Sequence, residues 1–224
     1  MRVYGKNVAK EVLDKNIKRV YLSKTFNDKE IIEKLKNKNI PIKYLDKNIL
    51  NSMEKGNHQG IIIDIDDYEY YSLDEIEKEE VIIMLDHLED PHNFGAIIRT
   101  VEAAGYKSII IPKDRSVEVN PTVMKVSAGT IENVKIARVN NLVNTINELK
   151  RQGYWIIGTD MEGTDYKKID YKGKIVIVIG NEGKGMSRLV KENCDFIASI
   201  PMNGKVNSLN ASVAAALIIY EAVR

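Results

Sequence analysis

Five consecutive β-branched apolar residues, Ile175–Ile179, restrict the fold of this chain more than any other stretch. A strand without a polar side is buried on both faces, which indicates a parallel sheet covered by helices. Three glycines, Gly180, Gly183 and Gly185, follow the strand, and a helical pattern begins at Met186. Such a corner can bring backbone N–H groups to a small ligand. An ordinary βα turn has the same pattern, so the loop alone does not decide between the two interpretations.

This glycine loop lacks the two common phosphate-binding fingerprints. Gly180 and Gly185 have the spacing of a P-loop, but Met186 occupies the position of its phosphate-binding lysine. The dinucleotide pattern G-x-G-x-x-G is also missing from it. Glu182 adds a negative charge, which is unfavourable beside a triphosphate. A carboxylate there suits a ligand with cationic or hydroxyl groups, or an arginine partner.

From Val81 onward, apolar strands alternate with helical patterns. The predicted strands are Val81–Leu85, Ser108–Ile111, Val134–Ala137, Trp155–Gly158, Ile175–Ile179 and Phe196–Ile200, and the predicted helices are Asn93–Ala104, Pro121–Ser127, Leu142–Gln152, Met186–Lys191 and Ser208–Val223. This alternation predicts an α/β domain with a parallel sheet covered on both faces.

Residues 1–68 predict a separate, smaller α/β unit. Its predicted strands are 20–22, 42–45 and 61–65, and its predicted helices are Gly5–Leu13, a segment through Lys38 and Lys47–Met53. Asn27 is the expected N-cap of the second helix, with Glu30 completing a capping box. The acidic residues 69–80 are the expected linker to the second domain, 81–224. The tyrosines around this linker could instead pack on a domain surface.

Charge is distributed unevenly along the chain, although the net charge is only +1. Residues 1–50 carry 13 Lys and Arg against 6 Asp and Glu, whereas residues 64–90 carry 1 Lys against 12 Asp and Glu. A basic first segment suggests a polyanionic partner. Lysines that solvate ordinary helix faces would give the same composition.

Several classes of protein are disfavoured by the sequence. No apolar run approaches the roughly 18 residues of a membrane span, and no basic-then-apolar leader opens the chain. The single cysteine, Cys194, forms no intrachain disulfide, and we expect a reducing, cytoplasmic environment. Three histidines and one cysteine do not have the spacing of metal ligands, so no metal is expected.

The last predicted helix is unusual because every residue from Val213 to Tyr220 is apolar. A helix without a polar face is buried all round. In a domain of this size a subunit interface often covers one side of such a helix, so we expect a homodimer. A deep core helix is the alternative.

Three polar loops follow the ends of predicted strands, and ligands bind at that edge of open α/β sheets. The first loop leads to Asn93 and Arg99, although Arg99 could simply pair with Glu102 on the helix surface. The second carries Glu182. The third precedes the last helix, where Asn207 or Ser208 could be a plain N-cap. The third also contains Asn210, which falls inside the predicted apolar helix and as a buried amide would need hydrogen-bond partners. These groups suggest a site that orients a polar substrate near a cofactor.

These polar positions resemble the three signature motifs of the SpoU (TrmH-like) RNA 2′-O-ribose methyltransferases. The motifs are Asn93-x-Gly95-x-x-x-Arg99, Gly180-Asn181-Glu182-Gly183-x-Gly185, and Ile200-Pro201 followed by Ser208-Leu209-Asn210-x-Ser212. The resemblance extends over 81–224. The segment Pro112–Ser116 and the unit ending in His58-Gln59-Gly60 are similar to the RlmB branch, which methylates a guanosine of large-subunit (23S) ribosomal RNA. In that branch the N-terminal unit resembles RNA-binding domains of ribosomal proteins.

The resemblance implies a fold, a cofactor and a homodimer. The fold is a sheet with a deep trefoil knot, and the homodimer forms through the knot and the last helix. The methyl donor is S-adenosyl-L-methionine, expected beside Thr159, Gly180, Ile200, Ser208 and Leu209.

The resemblance also implies roles for individual residues. Arg99 would contact the ribose and the neighbouring phosphate, and we favour polarisation of the hydroxyl over proton removal because guanidinium remains protonated. Glu182 would orient Arg99 or its own loop. Hydrogen bonds to the substrate or the loop backbone would come from Asn93, Ser208 and Asn210, and contacts to RNA phosphates from Lys113 and Arg115.

Three other functions compete with this interpretation. The same chemistry could act on transfer RNA, or on another ribosomal position as in antibiotic-resistance methylases. The same fold could serve as a non-catalytic RNA-binding or ribosome-assembly factor, although the motif polar residues are retained. An α/β enzyme acting on a small nucleotide is disfavoured because neither phosphate fingerprint is present.

Overall fold

The computed structural model describes residues 1–13 and 17–223, apart from the side chain of Glu11. Residues 14–16 of the predicted N-terminal unit and Arg224 of the predicted second domain lie outside the described residues. The chain divides into two compact units: unit 1 comprises Met1–Glu69 and Val119–Gly129, and unit 2 comprises Tyr70–Glu118 and Thr130–Arg224. Within the described residues, no helix has the length and apolar character needed to cross a membrane.

The strands and helices are numbered in chain order. The strands are β1 (Arg2–Tyr4), β2 (Ile17–Ser23), β3 (Ile42–Leu45), β4 (Ile61–Ile65), β5 (Val81–Leu85), β6 (Ser108–Pro112), β7 (Lys135–Val139), β8 (Trp155–Asp165), β9 (Ile175–Ile179) and β10 (Phe196–Ser199). The helices are α1 (Lys6–Val12), α2 (Lys29–Asn37), α3 (Lys47–Met53), α4 (Leu73–Ile76), α5 (Pro91–Ala103), α6 (Pro121–Ser127), α7 (Leu142–Arg151), α8 (Arg188–Glu192) and α9 (Ala211–Ala222).

Unit 1 contains a four-stranded sheet in the order β1-β4-β2-β3. Strand β4 is antiparallel to both β1 and β2, whereas β2 and β3 are parallel. The apolar positions of β4 are buried, which gives this small sheet its core. Helix α6 packs against α1 and β1 in unit 1, although its sequence lies within the predicted domain 81–224.

Helix α2 begins one residue later than predicted. The carboxylate of Asp28 accepts a hydrogen bond from the backbone N–H of Ile31 at 3.3 Å, so Asp28 and not Asn27 is the N-cap. A negative charge is favourable at a helix N-terminus. Glu30 pairs with Lys10 and Lys34 instead of closing a capping box.

The acidic segment expected to be a linker is partly folded onto unit 2. Ser72 and Glu75 form a capping box at the start of α4. Ile76, the last residue of α4, is fully buried in the core of unit 2. Tyr71 donates its backbone N–H to the carbonyl of Ile136 at 3.0 Å. Apolar Ile76 therefore fixes a stretch whose composition suggested an exposed connection.

Unit 2 contains six parallel strands in the order β10-β8-β9-β5-β6-β7. Strands β5 and β9 pair residue for residue, from Val81 opposite Ile175 to Leu85 opposite Ile179. One face of this sheet packs against α7 and α8, and the alternate residues of β5 and β9 on the other face are equally buried. The predicted α/β architecture with a doubly covered parallel sheet is confirmed.

Helix α9 differs from the prediction in its start and in its burial. It begins at Ala211 and not at Ser208, because Asn210 is its N-cap. Its inner face is buried, but three apolar side chains on another face are exposed: Val213 at 48%, Leu217 at 39% and Tyr220 at 48%. The expectation that this helix is buried all round is therefore wrong for the single chain.

Candidate active site

A cavity of about 270 Å³ lies beyond the carboxyl ends of β9 and β10, in unit 2. Its walls come from the middle of β8, the glycine loop after β9, and the segment that joins β10 to α9. The lining residues are Thr159, Asp160, Met161, Ile179, Gly180, Asn181, Glu182, Gly183, Lys184, Gly185, Ala198, Ile200, Met202, Asn207, Ser208, Leu209, Ala211, Ala214 and Ile218. The mixture of aliphatic side chains, backbone and a few polar groups is typical of a small-molecule site.

All the residues for which the family resemblance implied cofactor contact line this one cavity. They are Thr159, Gly180, Ile200, Ser208 and Leu209. They come from three separate segments, which the parallel sheet brings to the same edge. The segment 207–209 before α9 and three residues of α9, Ala211, Ala214 and Ile218, complete the wall.

The glycine loop is held in a tight conformation by Asn181. The backbone groups of Asn181 and Gly185 exchange two hydrogen bonds, of 2.9 and 3.0 Å. The Asn181 side chain donates to the carbonyl of His87 at 2.7 Å and accepts from the N–H of Gly183 at 2.9 Å. A Cβ atom on Gly180 would lie 2.5 Å from the backbone of Gly185 and Met186. The sequence indicated the glycines but not this function of Asn181.

A buried aspartate links β5 to the helix that follows the glycine loop. Asp86 is 1% exposed, and its carboxylate accepts the N–H of Ser187 at 2.6 Å and contacts the ring Nδ1 of His87. The two contacts satisfy a charge that would otherwise be costly to bury. We did not predict this residue; a single Asp directly after an apolar strand was the available signal.

Asn93 and Glu182 connect two of the three motifs. The Asn93 side chain is 6% exposed and donates to the Glu182 carboxylate at 3.0 Å. Of the two roles expected for Glu182, the structure does not show the contact with Arg99, because this carboxylate faces Asn93, and the orientation of its own loop stays a prediction. Arg99 is exposed on α5, and within residues 1–13 and 17–223 its guanidinium has no hydrogen bond or ion pair. The alternative pairing with Glu102 is also absent there, since Glu102 accepts from Asn133 at 2.9 Å.

Asn210 caps α9 and is exposed. Its side-chain oxygen accepts from the backbone N–H of Ser212 at 2.9 Å and from the Ser212 hydroxyl at 2.6 Å. Asn207 and Ser208, the two N-caps considered from the sequence, do not cap the helix. Because Asn210 is exposed, the argument that a buried amide needs partners does not apply to it. The predicted start of α9, Ser208, lies three residues before the observed start, Ala211, because an apolar pattern does not mark the N-cap.

Lys113 and Arg115 lie outside the cavity, exposed on the loop after β6. This loop is attached to the loop that leads into α5: the N–H of Val117 donates to the Leu88 carbonyl at 2.7 Å, and the Ser116 hydroxyl donates to the same carbonyl at 3.3 Å. The two basic side chains thus extend from a loop that neighbours the Asn93 motif.

Two titratable groups of unit 2, Cys194 and Asp160, have shifted pKa values. Burial raises the pKa of the Cys194 thiol to about 12, which keeps it protonated. Burial disfavours ionisation of Asp160, but its ion pair with Lys191 at 2.9 Å and two backbone N–H groups outweigh this, and its pKa is lowered. In the part of the chain that the structure describes, no three His, Cys, Asp or Glu side chains are placed to hold a metal.

Both parts of the chain match described protein families. Residues 80–220 match the SpoU rRNA Methylase family. Residues 2–71 match the domain described as RNA 2′-O ribose methyltransferase substrate binding.

Relatives of similar length exist in several bacteria. A Bacillus subtilis protein assigned to the TrmH family of tRNA/rRNA methyltransferases is 43% identical over 235 residues, which cover 99% of this chain and 94% of that protein. A Staphylococcus aureus protein with the same assignment is 42% identical over 230 residues, covering 99% of this chain and 90% of the relative.

Solved structures share the fold over the whole chain. The AdoMet-bound rRNA methyltransferase from Sinorhizobium meliloti has a TM-score of 0.80 at 26% identity and covers 99% of this chain and 85% of its own. The SpoU methyltransferase AviRb from Streptomyces viridochromogenes, in complex with AdoMet, has a TM-score of 0.81 at 24% identity, covering 100% and 89%.

Proposed function

The chain belongs to the SpoU rRNA Methylase family, as its motifs predicted, and we propose that it methylates the ribose 2′-hydroxyl of a guanosine in 23S ribosomal RNA. The methyl donor is S-adenosyl-L-methionine. Family membership supports the general reaction, which is 2′-O-methylation of RNA. The choice of guanosine and of large-subunit RNA rests on the resemblance of Pro112–Ser116 and the N-terminal unit to one branch of the family.

The observation that carries the proposal is the convergence of Thr159, Gly180, Ile200, Ser208 and Leu209 on one cavity. The residues fit the donor chemically. Gly180 leaves space that a Cβ atom would fill, so backbone groups can approach a ligand closely. Ile200 and Leu209 provide an apolar surface for a planar base. The Asp160 carboxylate supplies a negative charge in the same wall.

Methyl transfer requires that the ribose oxygen is placed in line with the donated carbon. The bound cofactor supplies an electrophilic methyl group. Arg99 is exposed and has no carboxylate partner in the described residues, so it is available to bind the phosphate next to the target ribose and to polarise the hydroxyl. Its guanidinium remains protonated and does not accept the proton.

Asn93 and Glu182 support the reaction by holding two motifs together. Their hydrogen bond joins the start of α5, the helix that carries Arg99, to the glycine loop of the cofactor cavity. Ser208 lines the same cavity from the segment that joins β10 to α9. Asn210 fixes the first turn of α9, which forms part of the wall. These are positioning functions, and Arg99 is the residue that we expect to touch the RNA.

RNA binding is assigned to two sets of residues. Lys113 and Arg115 are exposed near the Asn93 motif, and unit 1 supplies the basic surface noted in the sequence. Neutralised phosphates release counterions, so the affinity for RNA should fall steeply with salt.

We also infer a homodimer and a knot. The exposed apolar side chains of Val213, Leu217 and Tyr220 support an interface on α9. The segment 207–218 shares the cavity wall with the glycine loop, which supports a chain end passing behind that loop.

The test is incubation of the purified protein with labelled S-adenosyl-L-methionine and, separately, unmodified 23S ribosomal RNA and bulk transfer RNA. Label in one ribose of the ribosomal RNA is the expected result. Label confined to transfer RNA would keep the chemistry and overturn the substrate. Cofactor binding without transfer to either RNA would point to an assembling particle as substrate, and absence of cofactor binding would favour a non-catalytic RNA-binding factor.

A further inference from the structure

Unit 1 contains a second cavity, of about 280 Å³, that the proposed reaction does not use. It is formed by α1, the turn after β2, the helix α3 and the turn before β4. The lining residues are Lys6, Ser23, Thr25, Phe26, Asn27, Lys47, Asn51, Gly56, Asn57, His58, Gln59 and Gly60. Its volume lies just below the roughly 300–1,000 Å³ of small-molecule pockets, which suits a single nucleotide as the bound group.

Among the described residues, the lining of this cavity contains two cations and no Asp or Glu. In the described chain neither Lys6 nor Lys47 has a carboxylate partner. Other lysines of unit 1 do: Lys10, Lys18 and Lys24 each form an ion pair. A pocket with uncompensated positive charge favours an anionic ligand.

A buried histidine organises the polar groups of the cavity. His58 is 4% exposed, and its Nδ1 accepts from the N–H of Gly60 at 3.0 Å. Its Nε2 therefore carries the proton and donates to the side-chain oxygen of Asn51 at 2.8 Å. This arrangement leaves the NH₂ group of Asn51 available. Asn27 and Asn57 also keep their side-chain amides unpaired within residues 1–13 and 17–223.

An aromatic ring completes the cavity. Phe26 packs against the turn at Gly60, where a Cβ atom would lie 3.3 Å from the ring. The ammonium of Lys6 lies 5.3 Å from the centroid of the Phe26 ring. Aromatic rings stack on bases of unpaired nucleotides, and side-chain amides hydrogen-bond the edges of such bases. Lysines beside them neutralise the adjoining phosphate.

We propose that this cavity binds one unpaired nucleotide of the RNA substrate. The base lies against Phe26 and the amides of Asn27, Asn51 and Asn57, and its phosphate contacts Lys6 or Lys47. The assignment of RNA as the source of this nucleotide rests on the proposed function, whereas the nucleotide site itself stands on the geometry of unit 1. Inorganic phosphate is the competing ligand, since the two lysines alone would attract it.

The experiment is a titration of the full-length protein, labelled with ¹⁵N, with AMP, GMP, CMP and UMP, and separately with inorganic phosphate. We expect at least one nucleotide to shift the backbone amides of 56–60 and Lys6 in a saturable manner, at a concentration on the order of tenfold below that of phosphate. The Phe26→Leu variant should weaken nucleotide binding on the order of tenfold but leave phosphate binding unchanged. Lys47→Gln should weaken both ligands.

Lys36→Gln is the matched control, since it removes the same charge from an exposed position of unit 1 outside the cavity. Equal affinities for phosphate and for all four nucleotides would reduce the site to an anion site and overturn the proposal. Absence of saturable shifts in these amides with any nucleotide would overturn it too. Nucleotide binding without methyl transfer would contradict the proposed function and leave this inference intact.

Discussion

Arg99 is the residue on which the proposed chemistry depends most directly. We expect Arg99→Ala to lower methyl transfer by on the order of 100-fold or more, as for loss of one charge-stabilising donor. Cofactor affinity should stay within about twofold, because Arg99 does not line the cofactor cavity. Labelled-methyl assays and calorimetric titration with S-adenosyl-L-methionine measure the two effects. Arg99→Lys keeps the charge but not the bidentate geometry, so its rate of methyl transfer should lie between those of the wild type and Arg99→Ala. A loss of cofactor binding in Arg99→Ala would refute the assignment.

Two variants of Asn210 distinguish a structural role of this residue from a role in the reaction. As an N-cap it should contribute about 1 kcal/mol, so Asn210→Ala should lower the midpoint of thermal unfolding by about 2–4 °C. Asn210→Ser can still cap the helix and should keep both stability and methyl transfer. A stable but inactive Asn210→Ser variant would instead place this side chain on the substrate.

The reactivity of the Cys194 thiol tests whether the core of unit 2, against which it packs, stays closed in the folded protein. Burial raises its pKa to about 12, above the roughly 8.5 of an exposed thiol. The neutral thiol therefore stabilises the fold fully below about pH 8.5, and this contribution is lost as the pH rises towards about 12. At pH 8, iodoacetamide should modify the native protein on the order of 100-fold more slowly than the protein in guanidinium chloride. Equal rates would show that the thiol is accessible in the folded state.

The glycine loop is the element whose shape is most tightly determined. A Cβ on Gly180 would clash with the backbone of Gly185 at 2.5 Å, whereas a Cβ on Gly183 would meet only the Asn181 side chain at 3.8 Å. We expect Gly180→Ala to abolish cofactor binding and to cost about 1–3 kcal/mol of stability. Gly183→Ala, the same change three residues away, should change the free energy of unfolding by no more than about 0.5 kcal/mol. Titration calorimetry and denaturant unfolding provide the comparison, and equal effects of the two variants would contradict the loop geometry.

Secondary structure was predictable where the apolar pattern is continuous, and less so where one polar contact sets a boundary. The strand Ile175–Ile179 and the helix Pro121–Ser127 have the predicted limits. The predicted start of α9 was wrong because the N-cap depends on whether Ser208 or Asn210 accepts a hydrogen bond from a backbone N–H. Likewise, the partner of Glu182 could not be derived, since its contact with Asn93 joins positions 89 residues apart. The motifs predicted candidate site residues, but only the folded sheet determines which of them touch.

At the scale of the whole molecule, the exposed stripe on α9 predicts association of two chains. Val213, Leu217 and Tyr220 recur at helical spacing, so they share one face. Leu217→Glu should convert a dimer to a monomer, measured by sedimentation velocity or light scattering, since an unpaired charge in an apolar interface is costly. Asn37→Asp adds the same charge at an exposed position on α2 and should stay dimeric. A wild-type monomer at micromolar concentration would contradict the expectation.

The pairing of β5 with β9 also delays completion of the sheet during translation. Strand β5 lies between β6, which follows soon after it, and β9, whose last residue is Ile179. At about 5–20 residues per second, translation of the 94 residues from Asp86 to Ile179 takes about 5–20 s. During that interval one apolar edge of β5 is without its native neighbour and is open to pairing with other nascent chains. Slower initiation or co-produced chaperones should therefore raise the soluble yield of this protein more than a change in its surface charge.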